Sequence, residues 1–142
     1  MNTAKKISDI CTEYRIADLY VFGSRSEEIA ARARSQKIKF AENARSDVDI
    51  AVLPVDASRF GPFERVSLAI AIEDLFDVSR VDLVVLPEAD PFLALEIIRG
   101  ELLYTDDPDR QARHELYILR RAGDLIPFKK ERIRMIMEES AR

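Results

Sequence analysis

The chain has 142 residues, of which 47% are apolar and 34% charged, with a formal net charge of −4. That composition suits one packed domain and excludes a disordered or low-complexity chain, and no stretch approaches membrane-spanning length. The acidic balance disfavours bulk nucleic acid as a direct ligand. Cys11 is the sole cysteine, so an intramolecular disulfide is excluded, which fits a reducing cytoplasm. The start of the chain has no uninterrupted apolar stretch behind Lys5 and Lys6, so it does not read as a signal peptide. A soluble, cytoplasmic protein is expected.

Ile7, Ile10, Cys11 and Tyr14 recur at helical spacing and predict an amphipathic helix over 3–17. Leu19-Tyr20-Val21-Phe22 reads as a short buried strand that ends at Gly23. Residues 25–39 are Ala-rich and charged, and favour helix. Val48 to Leu53 reads as a second strand closed by Pro54, and 62–77 as a mostly apolar helix opened by Pro62. Val81 to Leu86 is the third strand, stopped by Pro87. Pro91 opens a short helix through Ile98, with Gly100 expected as its left-handed cap. Leu102-Leu103-Tyr104 fits a short edge strand. Residues 108–123 and 128–140 read as two helices broken around Gly123 and Pro127. Strands alternating with helices predict an α+β domain, a small mixed sheet covered by helices. It is read as one domain over 1–142, a core of 1–104 and a C-terminal helical tail from 105, hinged at Thr105-Asp106-Asp107-Pro108-Asp109.

Three features carry chemistry. Phe22-Gly23-Ser24-Arg25 runs from a strand through Gly-Ser into an expected helix start, where backbone N–H groups favour phosphate. Alone it is common turn punctuation. Ser46-Asp47-Val48-Asp49-Ile50 puts two carboxylates on one strand face, because side chains alternate. Their repulsion is relieved by water at a sheet edge or by a divalent hard cation. Arg80-Val81-Asp82-Leu83 sets an aspartate at the start of an apolar strand. Were that strand to adjoin the Asp47–Asp49 strand, the three carboxylates could meet as a two-metal site for phosphoryl or nucleotidyl transfer.

In this order, the three features closely resemble the nucleotidyltransferase superfamily that includes DNA polymerase β. Leu83-Val84-Val85-Leu86-Pro87, then Pro91 to Gly100, then Leu102-Leu103-Tyr104, is similar to the minimal nucleotidyltransferases, known as MNT proteins and as antitoxin halves of HEPN–MNT pairs. The resemblance implies a nucleotidyltransferase fold. It makes Asp47, Asp49 and Asp82 the catalytic, metal-binding carboxylates, with two Mg²⁺ ions expected. Gly23 and Ser24 would contact the β- and γ-phosphates of ATP, with Arg25 a further candidate. It implies transfer of AMP to a tyrosine of a HEPN RNase toxin, in a possible hetero-oligomer.

One departure from the family pattern is a gap between Ser24 and Asp47 about twice the usual length. Between Ser24 and Ser46 six basic residues stand against three acidic ones, which fits either a solvated helix face or a surface for a phosphate-bearing ligand. The insertion is read as a lid or partner contact, and deleting 30–41 should alter substrate choice while sparing metal binding. Arg110 and His114 are spaced somewhat like the Arg–His pair of HEPN proteins, but the rest of that domain is lacking, so the chain reads as the MNT member. The apolar residues of 108–140 either pack on the domain or form a partner-binding face. The alternatives to protein modification are transfer to a small molecule or RNA, and a non-catalytic module that neutralises a toxin by covering it.

Overall fold

The computed structural model describes residues 2–34 and 47–140. Its order is α1 (Thr3–Glu13), β1 (Ile16–Phe22), α2 (Ser26–Ala33), β2 (Val48–Pro54), α3 (Pro62–Phe76), β3 (Val81–Val85), α4 (Pro91–Ile98), β4 (Glu101–Thr105) and α5 (Pro108–Ser140). The α+β expectation holds. Most of the long segment between Ser24 and Asp47, including the basic residues Lys37, Lys39 and Arg45, lies outside the described residues, as does the last third of the helix expected over 25–39.

The strands form one sheet in the order β3-β2-β1-β4. β1 pairs antiparallel with both β2 and β4, whereas β2 and β3 run parallel through the crossover helix α3. β1 is central, and all seven of its residues are buried. Each sheet face carries its own apolar layer. Leu19, Val21, Ile50 and Val52 pack with Ile7, Ile29, Leu68 and Ile72, so α1, α2 and α3 cover that face. Tyr20, Phe22 and Ala51 pack with Ala94, Ile97 and Ile118, so α4 and α5 cover the other. Alternation along β1 and β2 produces this division.

The helix starts follow from local chemistry. Asp90 accepts the N–H groups of Phe92 and Leu93, both at 2.9 Å, ahead of α4. Asp107 accepts those of Asp109 and Arg110 at 3.1 Å ahead of α5. Pro62, Pro91 and Pro108 occupy first helical positions, where no backbone donor is lost.

Three expectations need correction. The first helix stops at Glu13 instead of running to 17, because β1 already begins at Ile16. Gly100 is not a left-handed cap: Gly23 has the positive glycine φ, and Arg99 closes α4 in right-handed geometry. Glycine is required there because a Cβ would stand 2.3 Å from the Val21 carbonyl oxygen and 2.9 Å from Phe22 Cα. The tail is one helix rather than two. Pro127 lies inside α5, and Gly123, whose carbonyl loses its partner, is exposed to water there.

That helix is tied to the sheet near its start. Arg110 donates to both oxygens of Asp18 at 2.9 and 2.8 Å, and Asp18 is fully buried. Gln111 Nε2 donates to the Tyr20 hydroxyl at 2.7 Å, which in turn donates to Glu115 at 3.3 Å. Ile118 and Ala122 complete the seam. Beyond them Phe128, Ile133, Met135, Ile136 and Met137 are exposed.

Cys11 sits in the core, and burial pushes its thiol up to about 12. The thiolate is the reacting form, so the native protein should react with a disulfide reagent at pH 8 roughly 100-fold or more slowly than the unfolded chain. Stopped-flow labelling with and without guanidinium measures the ratio.

Candidate active site

The carboxylates gather at one end of the sheet because of strand direction. β2 and β3 begin there and the antiparallel β1 ends there, so Phe22 lies across from Asp49 and Asp49 across from Asp82. Asp49 shares its sheet face with Ala51, on the side covered by α4 and α5. Asp47 stands just ahead of β2, two residues away. The three sequence-predicted carboxylates therefore lie at the same end of the sheet.

Their mutual charge is visible in Asp49. Its carboxyl is held above the usual carboxylate range, first by burial and then by Asp82, Asp47 and Glu96. Glu96, an exposed residue of α4, is a fourth acid at this end that sequence reasoning missed. A lone charged residue in the apolar run Pro91 to Ile98 was the available signal. Arg80 was missed as well. Its Nε lies 3.7 Å from Asp47 Oδ2 and its Nη2 3.4 Å from Asp82 Oδ1.

The Gly-Ser turn adjoins the acids. Gly23 has φ +80°, and a Cβ there would stand 2.3 Å from Asp49 Oδ2. Only glycine lets β1 end this close to the carboxylate. Ser24 is exposed beside it, and the Ser26 N–H returns to the Gly23 carbonyl at 3.2 Å. Arg25 points inward instead. It is 3% exposed and grips Glu28 through Nε at 2.8 Å and Nη2 at 3.1 Å. Arg32 adds a bond to Glu28 at 3.0 Å and another to the Phe76 carbonyl at 2.7 Å, clamping α2 to the end of α3.

Among the described residues, no three acidic, histidine or cysteine side chains yet stand at ligating distance around one point. The donor set nevertheless suits a hard divalent cation: all oxygen, from backbone positions in register, with negative charge in excess.

The family described as "Polymerase beta, Nucleotidyltransferase" matches residues 5–109. The chain belongs to the polymerase β nucleotidyltransferase family. Asp47, Asp49, Asp82 and the Gly23-Ser24 turn all fall inside the matched span. No curated protein matched the sequence. Solved structures similar to this nucleotidyltransferase include a toxin–antitoxin with AMP-PNP, 23% identical with TM-score 0.68, covering 94% of this chain and 98% of that one. A mutant MntA–HpeT toxin–antitoxin is 22% identical with TM-score 0.70, over 96% and 99% of the two chains. A tri-AMPylated Shewanella oneidensis HEPN toxin in complex with MNT antitoxin is 23% identical with TM-score 0.60, over 97% and 96%. These likenesses establish the nucleotidyltransferase fold. Among the described residues no helix is long and apolar enough to cross a membrane.

The raised Asp49 pKa makes a stability prediction for this nucleotidyltransferase. The folded state binds that proton more tightly than the unfolded chain, so the favourable contribution is present at low pH and lost as pH rises through the raised pKa. Ionised Asp49 therefore strains the free protein near neutrality. Asp49→Asn should raise the melting temperature by about 1–3 °C at pH 7, a gap that closes toward pH 4. Calorimetry at the two pH values checks it.

Proposed function

We propose that this protein is a Mg²⁺-dependent transferase that moves AMP from ATP to a tyrosine hydroxyl of a HEPN-type toxin in the cytoplasm, and so acts as an antitoxin. The observation that carries the reading is the cross-strand pairing of Asp49 with Asp82, with Asp47 beside them, at the sheet end where β1 delivers Gly23 and Ser24. The AMPylated HEPN toxin in one similar structure, and AMP-PNP in another, support the choice of acceptor and nucleotide.

In this reading Asp47, Asp49 and Asp82 would hold the metal ions, with Asp82 also serving the acceptor hydroxyl. The ions supply charge neutralisation on the phosphates and a lowered pKa for the attacking hydroxyl. Gly23 and Ser24 orient the β- and γ-phosphates at the turn, while Arg25 and Glu28 keep that turn rigid from below. The acceptor oxygen forms a bond to the α-phosphorus, the bond to the bridging oxygen breaks, and pyrophosphate leaves. Asp82 is the base nearest the hydroxyl proton. No covalent protein intermediate is needed, because positioning and electrostatics supply the rate.

The test is to incubate the protein with Mg²⁺, α-labelled ATP and lysate of its native host. A labelled protein band is the expected result, with mass spectrometry placing AMP on a tyrosine. Label in RNA or in a small molecule would replace the acceptor. No label in any fraction, with the partner present, would overturn catalysis in favour of a binding module.

Gly23 offers an independent check on the site. Gly23→Ala strains a positive φ and pushes a methyl group into Asp49, so Mn²⁺ binding should weaken about tenfold or more while the protein still folds. Titration calorimetry and a melting curve report the two effects separately.

A further inference from the structure

We propose that Arg80 is a built-in counter-ion that competes with the divalent metal for Asp47 and Asp82. The inference rests on the metal-site reading above and goes beyond it. Arg80 is two residues from Asp82 along the chain, so its side chain leaves the same face of the sheet. Its guanidinium reaches both acids, at 3.7 Å from Asp47 and 3.4 Å from Asp82. Its own carbonyl accepts the Val48 N–H at 3.1 Å, which anchors the arginine where β2 and β3 begin together. Among the described residues it is the cation that ion-pairs with these carboxylates. The side chain is 68% exposed, so it can swing into water without unpacking the core.

Several acids at one sheet end repel each other, and the Arg80 guanidinium between Asp47 and Asp82 offsets part of that charge. A fork-shaped guanidinium spanning two carboxylates also occupies oxygens that a cation would need. The consequence is a site that discriminates against free metal ions. A cation entering alone must displace Arg80 unaided. One arriving with a triphosphate brings negative charge that the released guanidinium can face.

The experiment measures Mn²⁺ binding to the nucleotide-free protein by calorimetry and electron paramagnetic resonance, for wild type, Arg80→Gln and Arg80→Lys. At low salt Arg80→Gln should bind Mn²⁺ about fivefold more tightly, the size of one screened unit charge at contact distance. Arg80→Lys should stay near wild type, and the gap should narrow in 0.5 M salt. Equal or weaker binding by Arg80→Gln overturns the proposal. If wild type and Arg80→Gln both fail to bind Mn²⁺, the metal-site reading itself falls and this inference with it. Melting curves confirm that the variants fold, which the exposure of Arg80 favours.

Discussion

Replacing Asp47 and Asp49 together by asparagine should lower the proposed AMP transfer by roughly 1,000-fold or more while leaving the fold intact. Asparagine keeps the shape and removes the negative charge that a divalent ion requires, so the loss falls on metal holding and on stabilisation of charge in the transition state. Removing a single electrostatic contact of this kind costs on the order of 100- to 1,000-fold, and two carboxylates that serve the same ions act as a unit. Asp82→Asn should cost about 100-fold or more and act mainly on the turnover rate, since Asp82 stands nearest the acceptor in the proposed arrangement. Single-turnover transfer of labelled AMP, with circular dichroism of each variant, checks both. Transfer that survives in Asp47→Asn/Asp49→Asn would remove these residues from the chemistry. Survival of toxin neutralisation without transfer would show that binding suffices.

The largest stability effect is expected away from the active site. Arg110→Ala leaves Asp18 charged, fully buried and without its two-pronged partner. Breaking a buried pair from one side costs about 3–5 kcal/mol, because the remaining charge keeps its desolvation penalty and loses its compensation. For a domain of this size that is a fall in melting temperature of about 10 °C or more. α5 should loosen with it, since the neighbouring Gln111–Tyr20–Glu115 chain depends on the same docking. The comparison is Arg134→Ala on the outer part of α5. Arg134 pairs with Glu131 and Glu138 in water, where such pairs are screened, so its loss should leave the melting temperature almost unchanged. Thermal denaturation of the two variants side by side separates the cases. Near-equal losses would mean that the Asp18 pair does not hold the helix.

Much of this architecture was legible in the residues. Period-two alternation around Asp47 and Asp49 put both acids on one face, and the core order of strands and helices matched the structure. The convergence with Asp82 was legible only as a condition, because strand adjacency is a long-range fact that no local pattern encodes. The β2–β3 register met that condition. Arg25 shows what packing adds to a local reading. A basic residue after Gly-Ser suggests a phosphate contact, but its burial against Glu28 depends on how α2 packs over the sheet. Gly100 illustrates the same limit: its sequence position suggested a cap, while its need for glycine comes from the backbone of β1. Pro127 and Gly123 looked like a break because each weakens a helix locally. In α5 neither stops the chain, since a helical φ suits proline and the orphaned carbonyl is open to solvent.

The outer portion of α5 has a thermodynamic consequence of its own. From Lys130 to Ser140 every residue is exposed, so those three turns are held by backbone hydrogen bonds and local ion pairs alone. Isolated turns of that length fray readily, because nothing tertiary opposes their melting. Amide exchange along the helix should therefore form a gradient, slow near Gln111 and Ile118 and fast past Phe128. A protein that captures the outer turns would have to supply their order from its own binding energy, and the flattening of that gradient would trace its footprint.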